Sequence, residues 1–267
     1  MTTFRDLHRP GAPFVLANAW DAGSARMLVA MGARAIGTTS AGYAFTRGLP
    51  DGGRISREEH IAHAADLARH VAVPVSADLE DGDGPDPADV AAAVEVAGLA
   101  GLAGSSIEDV APDGTPYPMA AAVARIRAAA EAARRAAQDH VLCARADGVM
   151  HGRYDLAEAI DRLLAFGEAG ADVLYCPMPG DREALRRIVE AVGLPVNALA
   201  AGPLASLALA DFAAIGVARV SVGSGLARAT HAVIRDAGAA MLAGDFARLG
   251  GASAAEVDAM LARGGEA

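Results

Sequence analysis

Three acids on two short apolar runs are the residues of this 267-residue chain best placed to do chemistry. Asp78 and Glu80 lie in Val73-Pro-Val-Ser-Ala-Asp-Leu-Glu, and Glu108 ends Gly104-Ser-Ser-Ile-Glu. In an extended strand alternate side chains face opposite sides. With Val75, Ala77 and Leu79 turned to an apolar layer, Ser76, Asp78 and Glu80 share the other face, and Ile107 likewise leaves Ser106 and Glu108 together. Carboxylates gathered in a poorly hydrated place repel one another and raise each other's pKa. A divalent cation removes that cost, and oxygen-only ligands completed by water suit Mg2+ or Mn2+ better than Zn2+. Arg145, which shares its parity with Cys143 and Asp147 on a third run, offsets part of the charge and is suited to gripping a substrate carboxylate with both arms of its guanidinium. Asp81, Asp83 and Asp86 read as solvated rim residues, because their spacing fails the pattern of a calcium loop.

Further polar residues fall at the ends of other apolar runs: Asn18, Thr38, Ser40, Asn197 and Ser221. In Thr38-Thr-Ser-Ala-Gly-Tyr-Ala a hydroxyl is followed by small residues, so backbone N–H groups can come close to an anion. That segment reads as a carboxylate pocket.

Positioning such a ring requires many strands in parallel, and eight strand candidates are present: Phe14 to Trp20, Ala35 to Ala41, Val73 to Glu80, Gly104 to Val110, Val141 to Asp147, Asp172 to Met178, Pro195 to Ala200, and Arg219 to Ser224. Alanine-rich helical patterns separate them, and glycines such as Gly193 and Gly216 stand where a helix would end. Alternation of this kind predicts an α/β fold, a (β/α)8 barrel of the triosephosphate isomerase type in one domain over residues 1–267. Its active site belongs at the carboxyl ends of the strands. Helical patterns from Leu226 to Gly244 and from Ala254 to Arg263 form an extension from about residue 226, more helix than one barrel needs, which predicts a homodimer or homotetramer.

Composition narrows the field of partners. A net charge of -10 with scattered arginines argues against nucleic acid. No leader-like apolar run opens the chain and no stretch would cross a bilayer, so a cytoplasmic protein with no membrane partner is expected. Cys143 and Cys176 sit singly in apolar runs and are expected to be reduced.

Taken in order, Asn18-Ala-Trp-Asp-Ala, Thr39-Ser-Ala-Gly, Leu49-Pro-Asp-Gly-Gly, Ser76-Ala-Asp-Leu-Glu-Asp-Gly, Ser106-Ile-Glu-Asp, Ala144-Arg-Ala-Asp and Ala169-Gly-Ala-Asp resemble the isocitrate lyase/phosphoenolpyruvate mutase superfamily along nearly the whole chain. The resemblance implies a barrel whose last helix is swapped between subunits. It also implies Mg2+-assisted chemistry on 2-oxo or 2-hydroxy carboxylates through an enolate-like intermediate. Ser40 with the backbone of Ala41 and Gly42 matches the family's carboxylate-binding turn. Asp78 and Glu108 match its metal-shell acids, Asp51 its loop aspartate near the metal, and Arg145 its substrate-binding arginine. Asn197 lies where related enzymes place a polar substrate contact, and Glu80 is expected to reach the metal through water.

Two features depart from the family: Ser76 stands where members often carry a second aspartate, and one loop differs. The lyase branches carry a Lys-Lys/Arg-Cys-Gly-His loop whose cysteine is the acid/base, whereas this chain has Asp109-Val-Ala-Pro-Asp-Gly-Thr-Pro-Tyr-Pro. The proton-transfer candidates are then His151, Tyr117 and Tyr43, with His151 preferred for its pKa and Arg153 nearby for a second anionic group. Cleavage of a C–C bond in a small 2-oxo or 2-hydroxy (di)carboxylate is the leading expectation. Phosphoenolpyruvate or phosphonopyruvate chemistry is an alternative, and an inactive carboxylate-binding protein is a third.

Overall fold

The computed structural model describes residues 3–52 and 55–266. Among these, eight strands close in sequence order into a barrel, every neighbouring pair parallel. They are β1 (Phe14–Ala19), β2 (Ile36–Thr38), β3 (Val75–Asp78), β4 (Gly104–Glu108), β5 (Val141–Arg145), β6 (Val173–Tyr175), β7 (Val196–Leu199) and β8 (Arg219–Ser221). All eight expected strands are present. Each is shorter than its apolar run, because the last residues leave the ladder to build the mouth.

The helices are α1 (Ala22–Ala30), α2 (Ser40–Thr46), α3 (Arg57–His70), α4 (Pro87–Leu99), α5 (Met119–Arg135), α6 (Leu156–Glu168), α7 (Arg182–Val192), α8 (Leu209–Ile215), α9 (Gly225–Leu242) and α10 (Ala254–Gly264). Local chemistry sets their ends. Asp21, Ser56, Asp155 and Asp181 cap four amino termini with side-chain oxygens. Gly193 and Gly216 end α7 and α8 at φ of 63° and 97°, a conformation a β-carbon would oppose.

Two apolar layers result. The larger lies between strands and helices and includes Val75, Ala77, Leu79 and Ile107, the residues whose parity assigned them there. The smaller closes the barrel floor, where Phe4 and Leu7 of an amino-terminal turn pack under Phe14, Val141, Cys143 and Tyr175. Both cysteines are buried and unbridged.

The extension is divided. Helix α10 packs along α1, whereas α9 buries Ala227 alone and leaves Leu226, Val233, Ile234, Met241 and Leu242 exposed. No described helix is long and apolar enough to cross a membrane.

Candidate active site

Two adjoining cavities open at the carboxyl ends of the strands, of about 180 and 300 Å³. Ser40, Asp51, Asp78, Arg145 and Met150 line both, so they form two halves of one mouth. The inner half runs down past Ser76, Tyr175 and Asn197 to Arg219. The outer half is walled by Glu80, Glu108, Val110, Ala111, Pro112 and His151.

Asp78 is held from three strands' ends. Its backbone N–H donates to Thr38 Oγ1 at 2.8 Å. Its Oδ2 accepts from the Ser40 hydroxyl at 3.0 Å and the Ser40 N–H at 3.3 Å, and its Oδ1 from Ser106 at 3.2 Å. Arg145 ties this group to its neighbours. Nη1 stands 3.0 Å from both Asp78 Oδ1 and Glu108 Oε1, while Nε and Nη2 grip Asp147 at 3.0 and 2.6 Å.

The carboxylates respond differently. Burial raises the Asp78 pKa, but Arg145 and the Ser40 bonds outweigh it, and the group lies below its ordinary value. Glu108 goes the other way: burial, reinforced by Asp147, Asp78 and Glu80, carries it well above the usual range despite Arg145. One guanidinium thus faces three carboxylates at 3.0 Å or less, and the site carries an excess of negative charge.

Glu80 leaves β3 with φ of 49°, an uncommon backbone conformation for a residue with a side chain. Its carboxylate lies 3.5 Å from Nε2 of buried His60, a neighbour that the sequence did not single out. Asp51 stands at the rim, where partial desolvation of its carboxyl, with Asp78 and Glu80 nearby, raises its pKa. Among the described residues no three His, Cys, Asp or Glu side chains form a ready metal cage. Asp78, Glu108, Glu80 and Asp51 therefore share a mouth without converging as four ligands.

Several expected roles are corrected by the structure. Ser40 begins α2 and spends its N–H and hydroxyl on Asp78, while the Gly42 N–H donates to Thr39 Oγ1, so of the anticipated turn only Ser40 and Ala41 line the cavity. Tyr43 turns away and stacks on His63 at 3.9 Å between ring centroids. Tyr117 lies outside both cavities, its hydroxyl donating to Asp81 at 2.7 Å and its ring under Arg125. Burial and Asp81 raise its pKa further from neutrality. Asp81, read as a rim residue, is buried by this cover. Arg153 is exposed and reaches neither cavity.

His151 does line the outer half, against the loop from Asp109 to Pro118. That loop is a small turn closed by a Val110–Pro116 bridge and an Ala111 N–H to Thr115 carbonyl bond. It presents Val110, Ala111 and Pro112 to the cavity beside the His151 imidazole. A β-carbon on Gly114, at φ of 75°, would come within 2.9 Å of His151 Nδ1, so the loop and the imidazole are closely fitted. Asn197 lies lower, donating to Ser221 Oγ at 3.0 Å and accepting from Arg219 Nε at 2.9 Å.

Both the sequence and the fold match known proteins. The family model described as phosphoenolpyruvate phosphomutase matches residues 4–242. An uncharacterized protein of Mycobacterium tuberculosis is 38% identical over 236 residues, 86% of this chain and 87% of that one. The 2,3-dimethylmalate lyase of Eubacterium barkeri is 30% identical over 187 residues, 67% of this chain and 63% of the lyase. A solved structure from Burkholderia cenocepacia, provisionally assigned as a lyase/mutase, is 43% identical with a TM-score of 0.92, over 97% of this chain and 94% of that one.

Proposed function

Because the chain belongs to the phosphoenolpyruvate phosphomutase family, whose relatives include lyases, we propose that it is a Mg2+-dependent lyase or hydrolase of a small 2-oxo or 2-hydroxy (di)carboxylate. One observation carries the reading: Asp78, Glu108 and Asp147 outnumber the single guanidinium between them. Mg2+ is commonly held by one or two carboxylates with water and substrate oxygens in the remaining places, so this donor set fits it without a closed cage. Asp78 and Glu108 would hold the ion, with Glu80 and Asp51 as outer partners. When bound, it supplies Lewis-acid stabilisation of negative charge developing on the substrate.

The chain's own residues supply the rest. Arg145 keeps Asp78 and Glu108 within reach of each other and offers the mouth's fixed positive charge to a substrate carboxylate. Ser40 and the Ala41 backbone border the place where that carboxylate would sit. The apolar shoulder Val110 to Pro112 limits water on the outer side. His151 is the group we assign to move the proton between substrate and solvent.

The test is product analysis with a panel of 2-oxo and 2-hydroxy acids and phosphonopyruvate, with Mg2+, with Mn2+ and with chelator. Metal-dependent C–C cleavage is expected. Cleavage or rearrangement of the P–C bond alone would overturn it in favour of phosphonate chemistry. Carboxylate binding with no product would make the chain a binding protein. The bare apolar face of α9 further leads us to propose a homo-oligomer, to be checked by light scattering.

A further inference from the structure

The inner cavity ends on a buried cation without an acidic partner. Arg219 is 3% exposed, and its three nitrogens meet only neutral groups: Nε the Asn197 Oδ1 at 2.9 Å, Nη1 the His8 Nε2 at 3.2 Å, and Nη2 the Cys143 Sγ at 3.0 Å. His8 Nδ1 lies 3.0 Å from the Phe4 carbonyl, which can only accept, so the ring is the tautomer that accepts from Arg219. Burial and the adjacent guanidinium hold His8 neutral, and burial holds the Cys143 thiol protonated. Among the described residues nothing touching Arg219 offsets its charge, yet such charges are normally paired.

A guanidinium carries five N–H donors, and these three contacts leave two of them free. Arg219 lines the same cavity as Asp78 and Arg145. Its depth follows from the register, in which Arg145, Tyr175, Asn197 and Arg219 are successive lateral partners on β5 to β8. Three strand spacings of about 4.8 Å, with strands tilted by about 36°, lower Arg219 by roughly 8 Å along the barrel axis.

We propose that Arg219 makes the floor of this cavity an anion subsite, which takes the acid group at the end of the ligand remote from the mouth. The ligand is then a short dianion, one end among Ser40, Asp78 and Arg145 and the other on the floor, with Asn197 and Ser221 as polar walls. The assignment rests on the carboxylate-binding function proposed above and adds the group that measures ligand length and charge.

Matched acids differing only at the far end test it: malate against 2-hydroxybutyrate, and 2-oxoglutarate against 2-oxovalerate, titrated calorimetrically with Mg2+. In the wild type at least one dianion should bind tenfold or more tighter than its methyl-ended partner. Arg219→Met should bring that pair within about twofold while leaving the monoacid's affinity unchanged, and Arg219→Lys should restore part of the preference. A purely structural loss would weaken both members equally. Equal binding of each pair in the wild type, no binding of either dianion, or a preference that survives Arg219→Met overturns the proposal. Should Arg219→Met fail to fold, the wild-type comparison and Arg219→Lys still decide it. Repetition with chelator separates the two readings. Dianion preference without Mg2+ dependence would sink the metal chemistry and leave the floor site. Mg2+-dependent binding without preference would do the reverse.

Discussion

Two arginines line one cavity of this barrel, and their surroundings are opposite. Arg145 at the mouth is shared by Asp78, Glu108 and Asp147, whereas Arg219 on the floor meets Asn197, His8 and Cys143. The mouth therefore has a surplus of acid and the floor a surplus of base. A ligand combining a metal-bound head and an anionic tail would relieve both at once. The same residue type thus serves two purposes, set by whether its neighbours can carry charge.

Replacing each arginine by methionine tests that contrast most severely. Arg145→Met strands three carboxylates in a buried site, and a loss of about 3–5 kcal/mol is expected in denaturant titrations, with activity abolished. Arg219→Met removes hydrogen bonds to neutral groups only, and about 1–3 kcal/mol is expected. Mg2+ should recover stability in the first variant and not in the second. Equal losses, with equal response to Mg2+, would erase the distinction between the two ends.

Smaller effects are expected at the outer half. His151→Ala should lower kcat about a hundredfold with little change in KM, the mark of a group used in proton transfer rather than in binding. Wild-type turnover would remove His151 from the mechanism. Asp78→Ala and Glu108→Ala should each weaken Mg2+ about tenfold or more without unfolding the chain. Unchanged Mg2+ affinity in both variants would end their assignment as ligands.

The mouth was legible in the sequence because strand parity is a strict rule: Val75 and Ala77 in one layer leave Ser76 and Asp78 in the other, and Glu80, just past the strand, still reaches the mouth. The floor was not. Arg219 bonds to His8 across 211 positions, from an amino-terminal turn that belongs to no βα unit, and periodicity says nothing of such a partner. Asp81 misled for a similar reason. It lies in an acidic, glycine-rich run like a loop residue, but Tyr117 and Arg125 from another unit fold over it. Ser40 and Gly42 were correctly placed at the strand end, yet the turn is a helix start, which redirects their N–H groups to Asp78 and Thr39. Pairings between βα units, unlike patterns within one, are set by how the units pack in three dimensions.

The mildest way to sharpen the contrast is pH. His8 is held at about 3, chiefly by burial and then by Arg219, against an ordinary value of 6.5. As pH falls below 6.5 the unfolded chain takes up a proton on this histidine and the native one does not, until pH nears 3. The stability this site contributes is therefore complete above pH 6.5 and lost progressively between 6.5 and about 3, by up to about 1.4 kcal/mol per pH unit. Glu108 at the mouth slopes the other way. Its raised native pKa means that, without metal, the folded chain keeps a proton the unfolded chain releases, so stability falls as pH rises above 4.5. His8→Gln, which can still donate to Phe4 and accept from Arg219, should lie closer to the wild type at pH 6.5 than at pH 5, where it gains about 1–2 kcal/mol relative to it. Glu108→Gln should show the opposite trend, gaining on the wild type as pH rises, and Mg2+ should flatten it. Parallel pH profiles for the wild type and both variants would mean that neither end of the barrel holds its charge as described.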